Sequence, residues 1–159
     1  MIVKVEQILE DTFNNIKPID GVDYLSYGYG DEKDLDVILL TKSANKQRAY
    51  PLLWYMMPNS IEVVDGYAKG RFQFLLAHNT RLDWKNDQRF KESYDKVLFP
   101  WLEGVLDAFS RSHQITVKDG YKATNYPNYS KSLKKTKQVD YWDAIKLEID
   151  LMVINKNNC

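Results

Sequence analysis

The chain has 159 residues, of which 22 are basic and 22 acidic, so its formal net charge at pH 7 is zero. This length supports a single domain over residues 1–159 with a hydrophobic core of its own. The charge balance gives no global reason to expect binding to nucleic acid or an anionic membrane, and no stretch approaches the roughly 20 apolar residues of a membrane span. The lone cysteine, Cys159, excludes an internal disulfide and a cysteine-based zinc site within one chain.

The N-terminal part of the chain predicts one helix and one short strand. Apolar residues recur at spacings of three and four from Val5 to Ile16, and Pro18 follows them, which predicts an amphipathic helix within residues 1–17. Residues 20–29 are rich in turn-forming residues. The apolar run at 35–41 favours a short strand.

The middle of the chain predicts a sheet. Residues 50–57, 61–64 and 66–77 have the composition of strands, and the last of these places Phe72, Phe74 and Leu76 on one face. Sheet strands therefore dominate the middle of the chain.

Residues 88–110 have the longest helical pattern, with apolar side chains along one broad face. Pro100 lies within it, and a proline inside a helix costs about 3 kcal/mol, so we expect a kink near residues 96–100 or two abutting helices.

The C-terminal part predicts a short strand at 115–118, a long basic loop at 119–138 and a closing strand at 139–155. The closing strand alternates strictly, with an apolar set on one face and a charged set of Lys146, Glu148 and Asp150 on the other. The apolar set comprises Ile145, Leu147, Ile149, Leu151 and Val153. The whole pattern predicts an α+β fold, in which a mixed or antiparallel sheet of about four to five strands is flanked by the N-terminal helix and the long, Pro-interrupted helix.

A search for catalytic chemistry finds no convergent set of residues. His78 and His113 are the only histidines, and their settings favour loop or capping positions. The acids Asp31, Glu32, Asp34 and Asp36 lack the ligand spacing of a calcium loop, and the glycines of Gly28-Tyr29-Gly30 lack the lysine and helix start of a phosphate loop. We therefore predict no catalytic residue, no metal ligand and no cofactor, and hence a protein that is not an enzyme.

Charge is separated along the chain. The acidic segment, residues 20–36, has six acids and one lysine, a net charge of −5, whereas the basic segment, residues 118–138, has six lysines and one acid, a net charge of +5. Solvated loops are the ordinary interpretation of such runs. A structureless stretch of about 20 residues inside a compact domain is uncommon, however, and is typical of a functional or partner-ordered loop.

Two uses of the basic segment are open. In the first, the basic segment of one subunit docks on the acidic segment of the next, and rotation closes a ring. In the second, the lysines bind phosphates and the tyrosines stack on bases of a nucleic acid. The residues placed at the interface are Asp31, Glu32, Asp34, Asp36, Lys131, Lys134, Lys135, Lys137, Tyr126 and Tyr129.

The order of elements resembles that of the tail terminator or tail completion family of tailed bacteriophages, and of the related head-to-tail joining proteins. The resemblance lies in an N-terminal helix, strands with Tyr-Pro-Leu-Leu-Trp at 50–54 and Arg-Phe-Gln-Phe-Leu at 71–75, a helix with Phe-Pro-Trp-Leu at 99–102, a variable loop and a long alternating final strand. It extends over about residues 5–154.

The resemblance implies a structural virion protein, made in the host cytoplasm, that forms a homo-oligomeric ring in the neck. Its neighbours would be portal, adaptor or tail proteins, and DNA would pass through the lumen without sequence-specific binding. Subunits would meet through sheet edges, the aromatic middle of the chain and the basic segment, with Trp54 and Trp142 among the candidate anchors. For each tryptophan taken singly, a position in the core is the better interpretation. The competing hypothesis is a small ligand-binding domain or enzyme, with aromatic side chains lining a pocket and Asp31 or Asp34 acting as acid or base.

Overall fold

The computed structural model of the protein describes residues 2–17, 25–45, 48–57, 60–81, 83–127 and 141–155. The helices are α1 (Val5–Phe13), α2 (Glu32–Ala44), α3 (Asn86–Arg89), a π-helix (Phe90–Leu98) and α4 (Phe99–Arg111). The strands are β1 (Ser26–Gly30), β2 (Leu52–Met56), β3 (Ile61–Val64), β4 (Tyr67–Thr80), β5 (Ile115–Tyr126) and β6 (Tyr141–Ile154).

The strands of the described residues form one mixed sheet of six strands. Its order is β1-β2-β4-β6-β5, and β3 pairs with β4 beside β2. Only β1 and β2 are parallel; all other pairs are antiparallel. The predicted α+β class with a mixed sheet and flanking helices is confirmed, with six strands where about four to five were expected.

The main core lies on the major face of the sheet, which we define as the face of Phe72, Phe74 and the apolar set of β6. Helix α1, the π-helix and α4 cover this face. Phe13 of α1 packs edge-on against Phe74, with ring centroids 5.9 Å apart, and Phe109 of α4 lies 5.7 Å from the same ring. The strict alternation of β6 thus places its apolar set in the core, as predicted.

A second, smaller core lies on the opposite, minor face of the sheet. Helix α2 covers the end of this face nearest β1 and β2, where Leu35 and Leu39 pack on Trp54 and Trp142. Beyond α2 the minor face also carries charged side chains, which form cross-strand ion pairs, such as Lys69 with Glu62 at 3.2 Å.

Helix α2 corrects the prediction of a strand at residues 35–41. The apolar run there is helical because Leu35 and Leu39, four residues apart, face the sheet together, while Val37 and Ile38 between them are exposed. A short apolar run does not by itself distinguish a strand from a buried helix.

Pro100 is accommodated by a change of helix type. The chain is helical without a break from Asn86 to Arg111, and the π-helix ends at Leu98, with Pro100 in the first turn of α4. The N–H of Phe99 bonds five residues back, to the carbonyl of Tyr94, and Pro100 follows at the start of α4, where proline is best tolerated in a helix. The expected irregularity near residues 96–100 therefore takes the form of a π-to-α transition in one continuous helical run.

The basic loop predicted at 119–138 is wrong in its first part. Strand β5 extends from Ile115 to Tyr126, with a bulge between Val117 and Tyr121 where its register against β6 shifts. The closing strand predicted at 139–155 is present as β6. Residues 128–140 lie outside the described residues. No helix of the described part of the chain is long and apolar enough to cross a membrane.

Candidate functional site

Two acids of the acidic segment cap helix α2. The Asp31 carboxylate accepts the backbone N–H groups of Lys33 at 2.8 Å and Asp34 at 2.9 Å, and the Asp34 carboxylate accepts the N–H of Asp31 at 3.0 Å. These hydrogen bonds, that of the Asp34 N–H first, hold the pKa of the Asp31 carboxyl below its usual range. Asp31 and Asp34 therefore start the helix, and an acid with a lowered pKa is a poor proton donor at neutral pH.

The other two acids, Glu32 and Asp36, also lie in α2. Glu32 is exposed in the first turn, and burial together with the charge of Glu32 raises the pKa of Asp36. Val37 and Ile38 of the same helix are exposed. Helix α2 thus exposes both negative charge and apolar area, a combination typical of an interaction surface.

The edge strand β1 has acids on both sides. Asp31 directly follows its last residue, Gly30, on the α2 side. On the α1 side, burial raises the pKa of Tyr27 in β1, and the Tyr55 hydroxyl and the carboxylates of Glu6 and Glu10 act in the same direction. Acids therefore lie on both sides of β1, while Lys42 donates to the hydroxyl of Ser26 at its start.

The glycines of β1 have a packing role. Trp54 lies across Gly28, where an added Cβ would come within 2.5 Å of the indole ring. The indole N–H of Trp54 donates to the carbonyl of Gly30 at 3.1 Å. The glycine pattern that resembles a turn in the sequence provides a flat surface for a buried tryptophan.

The basic segment begins in β5, at the other edge of the sheet. Lys118 and Lys122 lie in β5 and are exposed, as are the apolar side chains of Val117, Tyr121 and Tyr126. The predicted interface residues Tyr129, Lys131, Lys134, Lys135 and Lys137 lie outside the described residues.

The sheet order places β1, which lies within the acidic segment, and β5, in which the basic segment begins, on opposite edges. Three strands separate β1 from β5, which at about 4.8 Å per strand spacing puts the two strands roughly 19 Å apart. An ion pair needs about 4 Å, so β1 and β5 of one subunit are too far apart to pair their charges directly. The acids that follow β1 and the described lysines of β5 therefore lie at different edges of the sheet.

The two tryptophans proposed as interface anchors are in the core. Trp54 is 1% exposed and Trp142 is 0% exposed, and both belong to the minor-face core under α2. The prediction that they anchor a subunit interface is therefore wrong, and the alternative, that each is a core aromatic, is confirmed. They are buried because α2 covers this end of the minor face, where the alternation of the sequence alone would place them outside.

The buried ion pair of Arg89 and Asp143 was missed from the sequence. Their side chains are 4% and 0% exposed, and the guanidinium donates to the carboxylate at 3.0 Å and to the carbonyl of Trp84 at 3.1 Å. His78 is the direct partner of Asp143 in the β4–β6 register, and burial lowers its pKa. This cluster joins the start of the long helical run to β6.

The described clefts offer little for catalysis. One of about 460 Å³ lies where α1 and α4 end, with Asp11, Asn15, Arg111 and His113 in its wall. Arg111 pairs with Asp107 at 2.6 Å. Across the described ranges no three His, Cys, Asp or Glu side chains come together to hold a metal ion.

No protein-family model matches the chain, and no curated protein matches it either.

Proposed function

We propose that the chain is a structural subunit of a ring in the neck of a tailed bacteriophage, where it links the portal side of the head to the tail around the DNA channel. One observation supports this most directly. The acidic segment continues from β1 on one edge of the sheet, and the basic segment begins in β5 on the opposite edge.

Opposite charges on opposite sides of a subunit favour head-to-tail association of identical copies. Such a contact is heterologous, and it closes into a ring when the rotation between neighbours divides a full turn. Charge complementarity also disfavours like-to-like contacts, in which acids would face acids.

Apolar area accompanies the charge at both edges. Val37 and Ile38 are exposed on α2 beside the acids, and Val117, Tyr121 and Tyr126 are exposed on β5. Stable interfaces need such a desolvated centre as well as a charged rim.

The placement in a phage neck rests on the layout that resembles the tail terminator family. Neighbouring portal, adaptor or tail proteins would bind above and below the ring, and the location would be the virion. The zero net charge suits a lumen through which DNA slides, because a strongly basic wall would retain phosphate.

The test is a charge reversal followed by its rescue. The variant Lys134→Glu/Lys135→Glu should weaken assembly; if each reversal costs about 0.7 kcal/mol, the two together weaken each contact roughly tenfold. Adding Glu32→Lys and Asp36→Lys should restore assembly. Sedimentation velocity over a salt series measures both effects, and the matched control Lys91→Glu/Lys96→Glu changes the same net charge on the π-helix.

Assembly that is unchanged by the reversal at low salt would remove the basic segment from the interface. An electrophoretic shift assay on the same proteins tests the nucleic-acid hypothesis. Steep, salt-dependent binding of DNA or RNA that disappears in the Lys134→Glu/Lys135→Glu variant, with assembly unchanged, would replace the ring proposal.

A further inference from the structure

Both edges of the sheet are open within the described residues. No described strand pairs with β1 on the side away from β2, or with β5 on the side away from β6. Strand β5 is exposed along almost its whole length, and Tyr121 on its major face is 54% exposed. An open edge presents unpaired N–H and C=O groups, and natural proteins usually cover or pair such an edge.

The hydrogen bonds between β1 and β2 show which residues of β1 direct their backbone N–H and C=O groups away from the sheet. The N–H of Ser26 donates to the carbonyl of Pro51 at 2.9 Å, and the carbonyl of Gly30 accepts the N–H of Met57 at 2.8 Å. Bonding direction alternates along a strand, so Tyr27 and Tyr29 direct their N–H and C=O groups away from the sheet.

The outward backbone groups of β5 follow from β6 in the same way. The N–H of Ile154 donates to the carbonyl of Gln114 at 2.8 Å, so the even-numbered residues of β6 bond towards β5. Their partners beyond the bulge are Lys122, Thr124 and Tyr126. The residues between, Tyr121, Ala123 and Asn125, therefore direct their backbone groups outward.

In both edge strands, the residues whose backbone groups point outward have their side chains on the major face. Tyr29 is the partner of Tyr55, a major-face residue, and Ala123 is the partner of Leu147, also on the major face. In an antiparallel pair, the two residues that exchange both hydrogen bonds have their side chains on the same face. In a parallel pair, a residue bonds instead to two residues whose side chains lie on the opposite face. The major face can thus continue across the two edges only if they pair antiparallel.

The directions of the two edge strands also allow antiparallel pairing between copies. Following the pairings from β1 through β2, β4 and β6 to β5 gives one parallel step and three antiparallel steps, so β5 runs opposite to β1 within one subunit. A rotation about an axis along the strands keeps every direction, and it therefore brings β5 of one copy antiparallel to β1 of the next.

We propose that residues 121–126 of β5 pair antiparallel with β1 of a second copy of this chain, so that one sheet continues from subunit to subunit. This inference rests on the proposed ring and specifies its contact. Charge selects this partner edge, because Lys122 of β5 meets the acids around β1, whereas pairing residues 121–126 with the same segment of another copy would bring two Lys122 side chains together.

Chemical cross-linking tests the pairing. In a Cys159→Ser background, the variant Tyr29→Cys/Ala123→Cys places one thiol on the major face of each edge, at positions that are exposed. A short bis-maleimide should give, on a denaturing gel, a ladder of multiples of one chain. The matched control Tyr29→Cys/Val63→Cys, with an exposed position on β3, should give no ladder.

Native mass spectrometry of the same samples distinguishes a failure of the strand pairing from a failure of the ring. A monomer band alone, from protein that is still a ring, would overturn the strand pairing and leave the ring standing. Covalent dimers from Ala123→Cys alone would show β5 on β5 and overturn the pairing with β1. Protein that forms no oligomer, in wild type and variant alike, would overturn both proposals.

A proline variant gives an independent readout. Ala123→Pro removes an outward N–H that makes no bond to β6, so the subunit should keep its circular dichroism spectrum and lose its ring. Ala123→Ser keeps the N–H and should keep the ring. Rings that persist in a folded Ala123→Pro variant would overturn the pairing.

Discussion

The buried ion pair of Arg89 and Asp143 gives the sharpest prediction for the fold. Replacing Asp143 with Ala leaves the guanidinium of Arg89 in a site where only 4% of the side chain is exposed. Removing one partner of a buried pair typically costs about 3–5 kcal/mol, because the remaining charge keeps its desolvation penalty. That is a large part of the roughly 5–15 kcal/mol by which a domain is stable.

Urea unfolding at one fixed protein concentration measures this cost. With an m-value of about 2 kcal/mol per molar urea, the midpoint should fall by roughly 1.5–2.5 M. The concentration is fixed because assembly adds to apparent stability.

The same strand contains a matched control. Asp150 pairs with Arg71 at 3.4 Å, but the two side chains are 29% and 48% exposed, so Asp150→Ala should cost about 1 kcal/mol or less. The double variant Arg89→Met/Asp143→Leu removes both charges and should recover most of the lost stability. If Asp143→Ala costs no more than Asp150→Ala, the reasoning about burial is refuted.

Three further predictions concern the cap, the histidine and the glycine. Asp31→Ala should lower Tm at pH 7, and the deficit should shrink as the pH falls through the lowered pKa of Asp31, since a protonated carboxyl caps less well; a deficit independent of pH would contradict this. The lowered pKa of His78 means that the unfolded chain binds its proton more readily, so stability should fall as the pH drops below about 6.5. Replacing His78 with Gln should flatten that slope, and an unchanged slope would contradict this. Gly28→Ala should cost about 1–3 kcal/mol in urea because its Cβ meets Trp54, whereas Gly120→Ala, with no atom within 4 Å, should cost far less.

Much of the fold follows from local patterns. The alternation in β6 identified a core strand, because the alternate residues from Ile145 to Val153 are all apolar and lie in the single large core of the major face. The helix α1 and strands β2, β3 and β4 followed from the same periodicities.

The errors occur where tertiary context decides. The run after Leu35 reads as a strand from composition, yet Asp31 and Asp34 form a capping box, and Leu35 and Leu39 have helical spacing. That signal was present and outweighed by the apolar run. Strand β1 could not be predicted in this way, because its glycines suit a turn until Trp54 is placed across them.

The candidate site, too, was predictable from the sequence only where local patterns determine it. The charge separation was readable from the sequence, but the position of β1 and β5 at opposite sheet edges requires the strand order. Asp143 interrupts the apolar set of β6 at a major-face position, which marks it as unusual, whereas its partner Arg89 lies 54 residues away and has no local signal.

The central claim is that this chain closes into a ring through its two sheet edges. Negative-stain electron microscopy combined with native mass spectrometry of the purified wild-type protein, over a wide range of concentration and salt, tests it most directly. The account predicts closed rings of one uniform copy number at low salt, with fewer rings as salt rises. A monomer at every concentration and salt would contradict it.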